Sequence, residues 1–166
     1  LMKVFPVLEF SVSAATRTQR ENETNGKDYH FMSQDEFKEK IHNKEFAEWE
    51  MVYEGKYYGT LKSELKRIWA RNKVPILDID VKGAIHIQQQ YPENTLSIFI
   101  EPPSINELKN RLESRGTESA ESIDTRVNKA AYELSFKQHF NKSIVNDNLK
   151  TACLKAEKLV DEFLKS

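Results

Sequence analysis

The chain has 166 residues, enough for one compact domain with a real core and small inserted lobes. Its 25 Lys and Arg against 26 Asp and Glu give a net charge of −1, so no overall field draws it to nucleic acid or to an anionic membrane. The single cysteine, Cys153, excludes an intrachain disulfide framework and a cysteine metal site. The apolar runs are too short to span a bilayer, and the reading is a soluble protein of the reducing cytosol.

In chain order, residues 1–5 before Pro6 read as the end of a helix entering a turn. Residues 7–12 form a strand, and Ser13-Ala14-Ala15-Thr16-Arg17-Thr18-Gln19-Arg20 follows at once with hydroxyls and two arginines. Residues 17–27 are polar, without apolar periodicity, and predict a solvent-facing loop. Residues 29–31 are a short strand. Ser33-Gln34-Asp35-Glu36 has capping-box spacing and opens a helix with Phe37 and Ile41 four apart. Residues 46–53, a turn at Gly55 and residues 56–59 suggest a hairpin. Residues 61–71 are amphipathic, with Leu61, Leu65, Ile68 and Trp69 on one helix face.

The run Val74-Pro75-Ile76-Leu77-Asp78-Ile79-Asp80 predicts a strand ending in two aspartates, then a helix over 82–90. A second apolar run covers 96–100, and Ser104-Ile105-Asn106-Glu107 is another capping box. A charged helix over about 120–136, a strand at 143–145 and a final amphipathic helix over 149–164 complete the chain. Strands alternating with helices argue for an α/β layered domain with a mostly parallel sheet. Residues 17–59 break the alternation and read as an inserted lobe.

Four groups of residues are candidates for chemistry. Arg17 and Arg20 follow a strand end, where open α/β sheets bind ligands, and arginine forks match phosphate oxygens two at a time; the alternative is a solvated loop. Asp78 and Asp80, two apart on a strand, point the same way and suit a Mg²⁺ region; the alternative is a cap on the next helix. Arg111 and Arg115 share a helix face before a hinge-like Gly116-Thr117 break, with Arg126 beyond, and Glu107 could pair with Arg111 on a plain surface. Glu48 sits in an apolar stretch, where a half-buried carboxylate needs a donor partner, with Tyr29, Tyr57, Tyr58 and Thr60 as possible neighbours.

These motifs together resemble the guanylate kinase family. The resemblance runs from about Phe10 to the C-terminus, through Phe10-Ser11-Val12-Ser13, Thr16-Arg17 and Arg20, Gly26-Lys27-Asp28-Tyr29-His30-Phe31, Glu45-Phe46-Ala47-Glu48-Trp49 and Tyr57-Tyr58-Gly59-Thr60. It continues through Ile76-Leu77-Asp78-Ile79-Asp80, Pro102-Pro103-Ser104, Arg111-Leu112-Glu113-Ser114-Arg115-Gly116-Thr117 and Ile144-Val145-Asn146-Asp147. It implies a three-layer fold of the P-loop-kinase kind, with a core of residues 1–12, 61–110 and 131–166, an α+β GMP-binding lobe over 13–60 and a helical lid over 111–130.

The resemblance also implies transfer of the γ-phosphoryl of ATP to GMP with Mg²⁺. Arg17, Arg20, Tyr29 and Tyr58 would hold the GMP phosphate. Ser13, Glu48 and Thr60 would read guanine. Asp78 and Asp80 would serve the nucleotide and metal region, in an order left open. Arg111, Arg115 and Arg126 would belong to the lid, with Arg17 in the transfer machinery and Asn146 toward ATP. The expected partners are the small molecules GMP and ATP, with neither nucleic acid nor membrane; a homo-oligomer is left open. One departure stands out: no GxxxxGK[ST] match occurs in these residues, and the expectation is that the first strand and that loop belong before Leu1. The competing reading is a non-catalytic guanylate-kinase-like domain that binds phosphorylated peptides.

Overall fold

A computed structural model describes residues 1–114 and 120–166. Among these, the contacts divide the chain into a unit Leu1–Pro92 and a unit Glu93–Ser166. Arg115 and the Gly116-Thr117 break lie outside the described residues.

The first unit opens on a helical turn, in which the Leu1 carbonyl accepts from the N–H groups of Val4 and Phe5. Strand β1 (Leu8–Phe10) pairs in parallel with β6 (Val74–Ile76), with Leu8 opposite Val74 and Phe10 opposite Ile76. The rest of the lobe builds on β2 (Ala14–Ala15), a strand absent from the sequence expectation, and β3 (His30–Phe31). Helix α1 (Gln34–His42) starts where the Ser33 hydroxyl accepts from the Glu36 N–H at 3.1 Å. Strands β4 (Phe46–Tyr53) and β5 (Lys56–Leu61) form the expected hairpin around Gly55, whose φ of +67° suits a residue without a Cβ. The four lobe strands run β3-β2-β5-β4, parallel between β2 and β3 and antiparallel elsewhere.

Phe37 of α1 is fully buried and stacks on Phe46, ring centroids 4.3 Å apart, and Ala14, Met32, Ile41, Tyr57 and Leu61 complete that cluster. Gly59 is required by packing rather than by its dihedral angles. A Cβ there would lie 2.7 Å from the Glu48 carbonyl and 2.8 Å from the Trp49 Cβ. Helix α2 (Lys62–Trp69) buries Leu65 and Ile68, and α3 (Val81–Gln90) buries Val81 and Ile87. Glu64 of α2, although charged, is also buried. It accepts from the Val12 N–H at 3.1 Å and from the Arg67 guanidinium at 2.7 Å, which fixes the link between β1 and β2 to α2. Arg67 reaches on to Glu9, which Arg71 also contacts.

The second unit holds a parallel pair, β7 (Ile98–Glu101) with β8 (Lys142–Val145), in the register Ile98 to Lys142 and Glu101 to Val145. Around it lie α4 (Ile105–Ser114), α5 (Ala120–Leu134) and α6 (Leu149–Leu164). Ser104 and Asn148 cap α4 and α6, each accepting at 3.1 Å from an N–H three residues on. No described helix is long and apolar enough to cross a membrane.

Two expectations need correction. The apolar run at 74–80 stays a strand only to Ile76, so Asp78 and Asp80 do not alternate on a strand. Asp80 instead caps α3, its Oδ1 accepting from the Gly83 N–H at 2.8 Å. The strand 7–12 is shorter than read and Val12 is only half-buried, so Arg17 and Arg20 follow β2 of the lobe sheet rather than the end of β1.

Candidate functional site

The first unit contains a cleft lined by Ser13, Tyr29, Glu48, Glu50, Val52, Tyr58, Gly59, Asp78, Ile79 and Asp80. Four chain segments build it. The residue before β2 supplies Ser13, the residue before β3 supplies Tyr29, the β4–β5 hairpin supplies Glu48 and Tyr58, and the stretch from β6 into α3 supplies both aspartates. The cleft therefore gathers six of the residues singled out from sequence. A second hollow between β4 and α3, lined by Trp49, His86, Gln89 and Gln90 among others, shares Glu48 and Glu50 with this cleft and none of its other residues.

Glu48 is the most unusual group. It is 5 % exposed, and its Oε1 accepts the Thr60 hydroxyl at 2.6 Å, across the ladder in which Glu48 lies opposite Thr60. Burial pushes its carboxyl up to about 7; the nearby Asp80 charge adds to the rise, and the Thr60 hydrogen bonds oppose it. The other oxygen lies against the first turn of α3: a Cβ on Gly83 would stand 2.5 Å from Oε2. The absence of a side chain at Gly83 makes that position of the carboxyl available.

Thr60 is fully buried and reaches the cleft through Glu48. Asp78 is exposed in the cleft wall, while Asp80 spends one oxygen on its cap. Among the described residues, no group of three His, Cys, Asp or Glu is arranged to hold a metal.

Arg17 lies beside the tyrosine end of the cleft. Its guanidinium carbon is 4.8 Å from the Tyr29 ring centroid and 5.3 Å from that of Phe31, and Tyr29 meets Tyr58 edge-on at 6.1 Å. Burial raises the Tyr58 hydroxyl pKa, with the Arg17 charge acting in the opposite direction. Arg17 does not point into solvent, as a plain polar loop would require. It forms a two-pronged ion pair with Glu23, at 2.6 and 2.5 Å, and the two side chains are 11 % and 15 % exposed. The Glu23 carboxylate also accepts the Arg20 backbone N–H at 2.8 Å, while Arg20 itself is exposed. Sequence reading missed Glu23 because it is one acid among many polar residues. The available signal was an acid placed six residues after a partly buried arginine.

In the second unit, Arg111 forms the ion pair with Glu107 that its spacing allowed, at 2.7 Å. Its other nitrogens donate to the carbonyls of Asn146, at 2.7 Å, and Asp147, at 3.2 Å. Arg111 and Asn146 are thus adjacent, tying α4 to the segment after β8. Arg126 lies on α5.

Comparison with known proteins bears on the whole chain. The sequence model of the family described as guanylate kinase matches residues 3–163. Guanylate kinase from Bacteroides fragilis is 47% identical over 157 residues, 95% of this chain and 77% of the relative. The Porphyromonas gingivalis guanylate kinase is 46% identical over 157 residues, covering 84% of its own length. The crystal structure of guanylate kinase from Anaplasma phagocytophilum superposes with a TM-score of 0.79 at 32% identity, covering 99% of this chain and 80% of that one. With the family match spanning nearly every residue and a solved relative sharing the fold, the chain belongs to the guanylate kinase family.

Proposed function

We propose that the protein transfers the γ-phosphoryl of ATP to GMP, with the cleft of the first unit as the acceptor site. The observation that carries the reading is the buried Glu48 carboxyl facing a cleft whose other end holds two tyrosines beside an arginine. Guanine presents N1–H and a 2-amino group side by side, a donor pair that one carboxylate can accept. Adenine presents an acceptor at N1 and would leave the buried Glu48 carboxylate with the Thr60 hydroxyl but without the base's donor pair. The relatives matched are bacterial enzymes named for this activity, which favours catalysis over a domain that only binds phosphorylated peptides.

Within this reading Ser13 and Thr60 frame the base, Thr60 by fixing Glu48. Tyr29, Tyr58, Arg17 and Arg20 hold the acceptor phosphate. The lobe over residues 13–60 carries the acceptor, residues 1–12, 61–110 and 131–166 form the core, and 111–130 act as lid. Mg²⁺, bound with the ATP phosphates, supplies charge neutralisation at the transferring group. That ion keeps several waters and takes only one or two carboxylates, and the exposed Asp78 with the free oxygen of Asp80 fit such a role. Arg111, Arg115 and Arg126 add positive charge for the donor phosphates, with Asn146 beside Arg111. The protein's own work is alignment, charge stabilisation and exclusion of water.

The test is turnover of GMP and of AMP by the full-length protein with MgATP. GMP should be strongly preferred. Equal turnover of AMP would overturn the guanine role of Glu48.

A further inference from the structure

We propose that Glu23 is the positioning residue of the acceptor-phosphate site: it grips the end of the Arg17 guanidinium and leaves the side edge of that group, Nε–H and the second Nη2–H, to meet the phosphate. The inference rests on the GMP reading of the cleft and adds a residue that the reading does not contain.

An arginine has five N–H donors in a rigid plane. In Arg17, Nη1 donates to the Thr18 carbonyl at 3.0 Å and to Glu23 Oε2 at 2.6 Å, and Nη2 donates to Glu23 Oε1 at 2.5 Å. Those contacts use three donors; the other pair, Nε–H and one Nη2–H, is parallel and coplanar, and the Tyr58 hydroxyl also interacts with this guanidinium. A parallel pair is what two phosphate oxygens accept. The Tyr29 and Phe31 rings lie against the guanidinium, so the plane cannot rotate freely about the grip.

Glu23 also fixes Arg20. Its carboxylate takes the Arg20 N–H, and its own N–H donates to the Arg20 carbonyl at 3.1 Å. The Gln19 side chain donates to the Glu23 carbonyl at 2.5 Å. One carboxylate thus sets the Arg17 guanidinium and the Arg20 backbone in a single arrangement before any ligand arrives, and the ordering cost of a long side chain is met at folding rather than at binding. Hydrogen bonds from Arg17 hold the Glu23 carboxyl down at about 2, so the grip is charged across the working pH range.

A carboxylate in contact with an arginine could instead compete with the phosphate for it. The two ideas predict opposite signs. The experiment compares wild type, Glu23→Gln and Glu23→Asp in the full-length protein. Calorimetry measures GMP affinity, guanosine is measured as a competitor lacking the phosphate, and steady-state kinetics give KM for GMP and kcat.

Positioning predicts that Glu23→Gln weakens GMP by about tenfold, a loss of about 1.4 kcal/mol, and leaves guanosine unchanged. KM rises far more than kcat falls, and Glu23→Asp recovers part of the loss. Tighter or unchanged GMP binding in Glu23→Gln overturns the proposal, and so does a parallel loss for GMP and guanosine. If the wild type fails to prefer GMP over AMP, the site reading falls first and this inference with it. If the wild type prefers GMP and Glu23→Gln still binds it normally, the inference alone falls.

Discussion

Glu48 gives two pH effects of opposite sign. An unfolded glutamate titrates at the ordinary 4.5, and the folded one is raised to about 7 by burial. The stability tied to this group is therefore fully present below 4.5 and is lost as pH rises through 7, because the folded state must then hold a buried charge. Glu48→Gln removes that titration, so its thermal midpoint should gain on the parent's between about pH 5 and about pH 8. A constant difference across that range would contradict the raised pKa. If Glu48 accepts the guanine donors as proposed, binding needs its ionised form, and wild-type GMP affinity should climb through the same pH window in which the fold loses stability. A calorimetric titration series that is flat in pH would remove Glu48 from guanine recognition. The sequence announced this residue only as an acid in apolar company; its depth and its contact with Thr60 come from strand register, which no local pattern displays.

At the scale of elements, the lobe rests on few large contacts. Phe37 joins α1 to the hairpin by stacking on Phe46 and by touching Tyr57 with ring centroids 5.6 Å apart. Phe37→Ala should cost about 3–5 kcal/mol, the usual loss for emptying a fully buried aromatic site, and denaturant unfolding measures it. A loss under about 1 kcal/mol would mean that the cluster can collapse around the gap. The helices and the hairpin were legible because caps and apolar spacing are local signals. The two-residue strand β2 was not, since Ala14 and Ala15 owe their extended form to β3 and β5 on either side. The aspartates misled for a related reason. Strand pairing ends at Ile76, and Asp80 turns to capping. Glu64 shows the same limit, because its partner Val12 is 52 residues away in sequence.

Across the whole molecule, the proposed acceptor residues all belong to Leu1–Pro92, and the arginines assigned to the donor side belong to Glu93–Ser166. A ligand that binds only the folded form adds about 2.7 kcal/mol of stability at a hundredfold excess over its dissociation constant. Hydrogen exchange should therefore slow most in the peptides covering β2, β4, β5 and the start of α3 when GMP is added. Protection spread evenly over the chain would contradict this placement. The proposed division follows the order of motifs along the sequence, whereas the way each motif is held was not readable there. The close approach of Gly83 to Glu48 has a consequence for how such a protein can change over time. A methyl group at position 83 meets the carboxyl at 48 unless that carboxyl shifts, so substitutions at the two sites are coupled, and a change at position 48 eases the way for a side chain at 83. The order of mutations, and not only their identity, therefore matters at that contact.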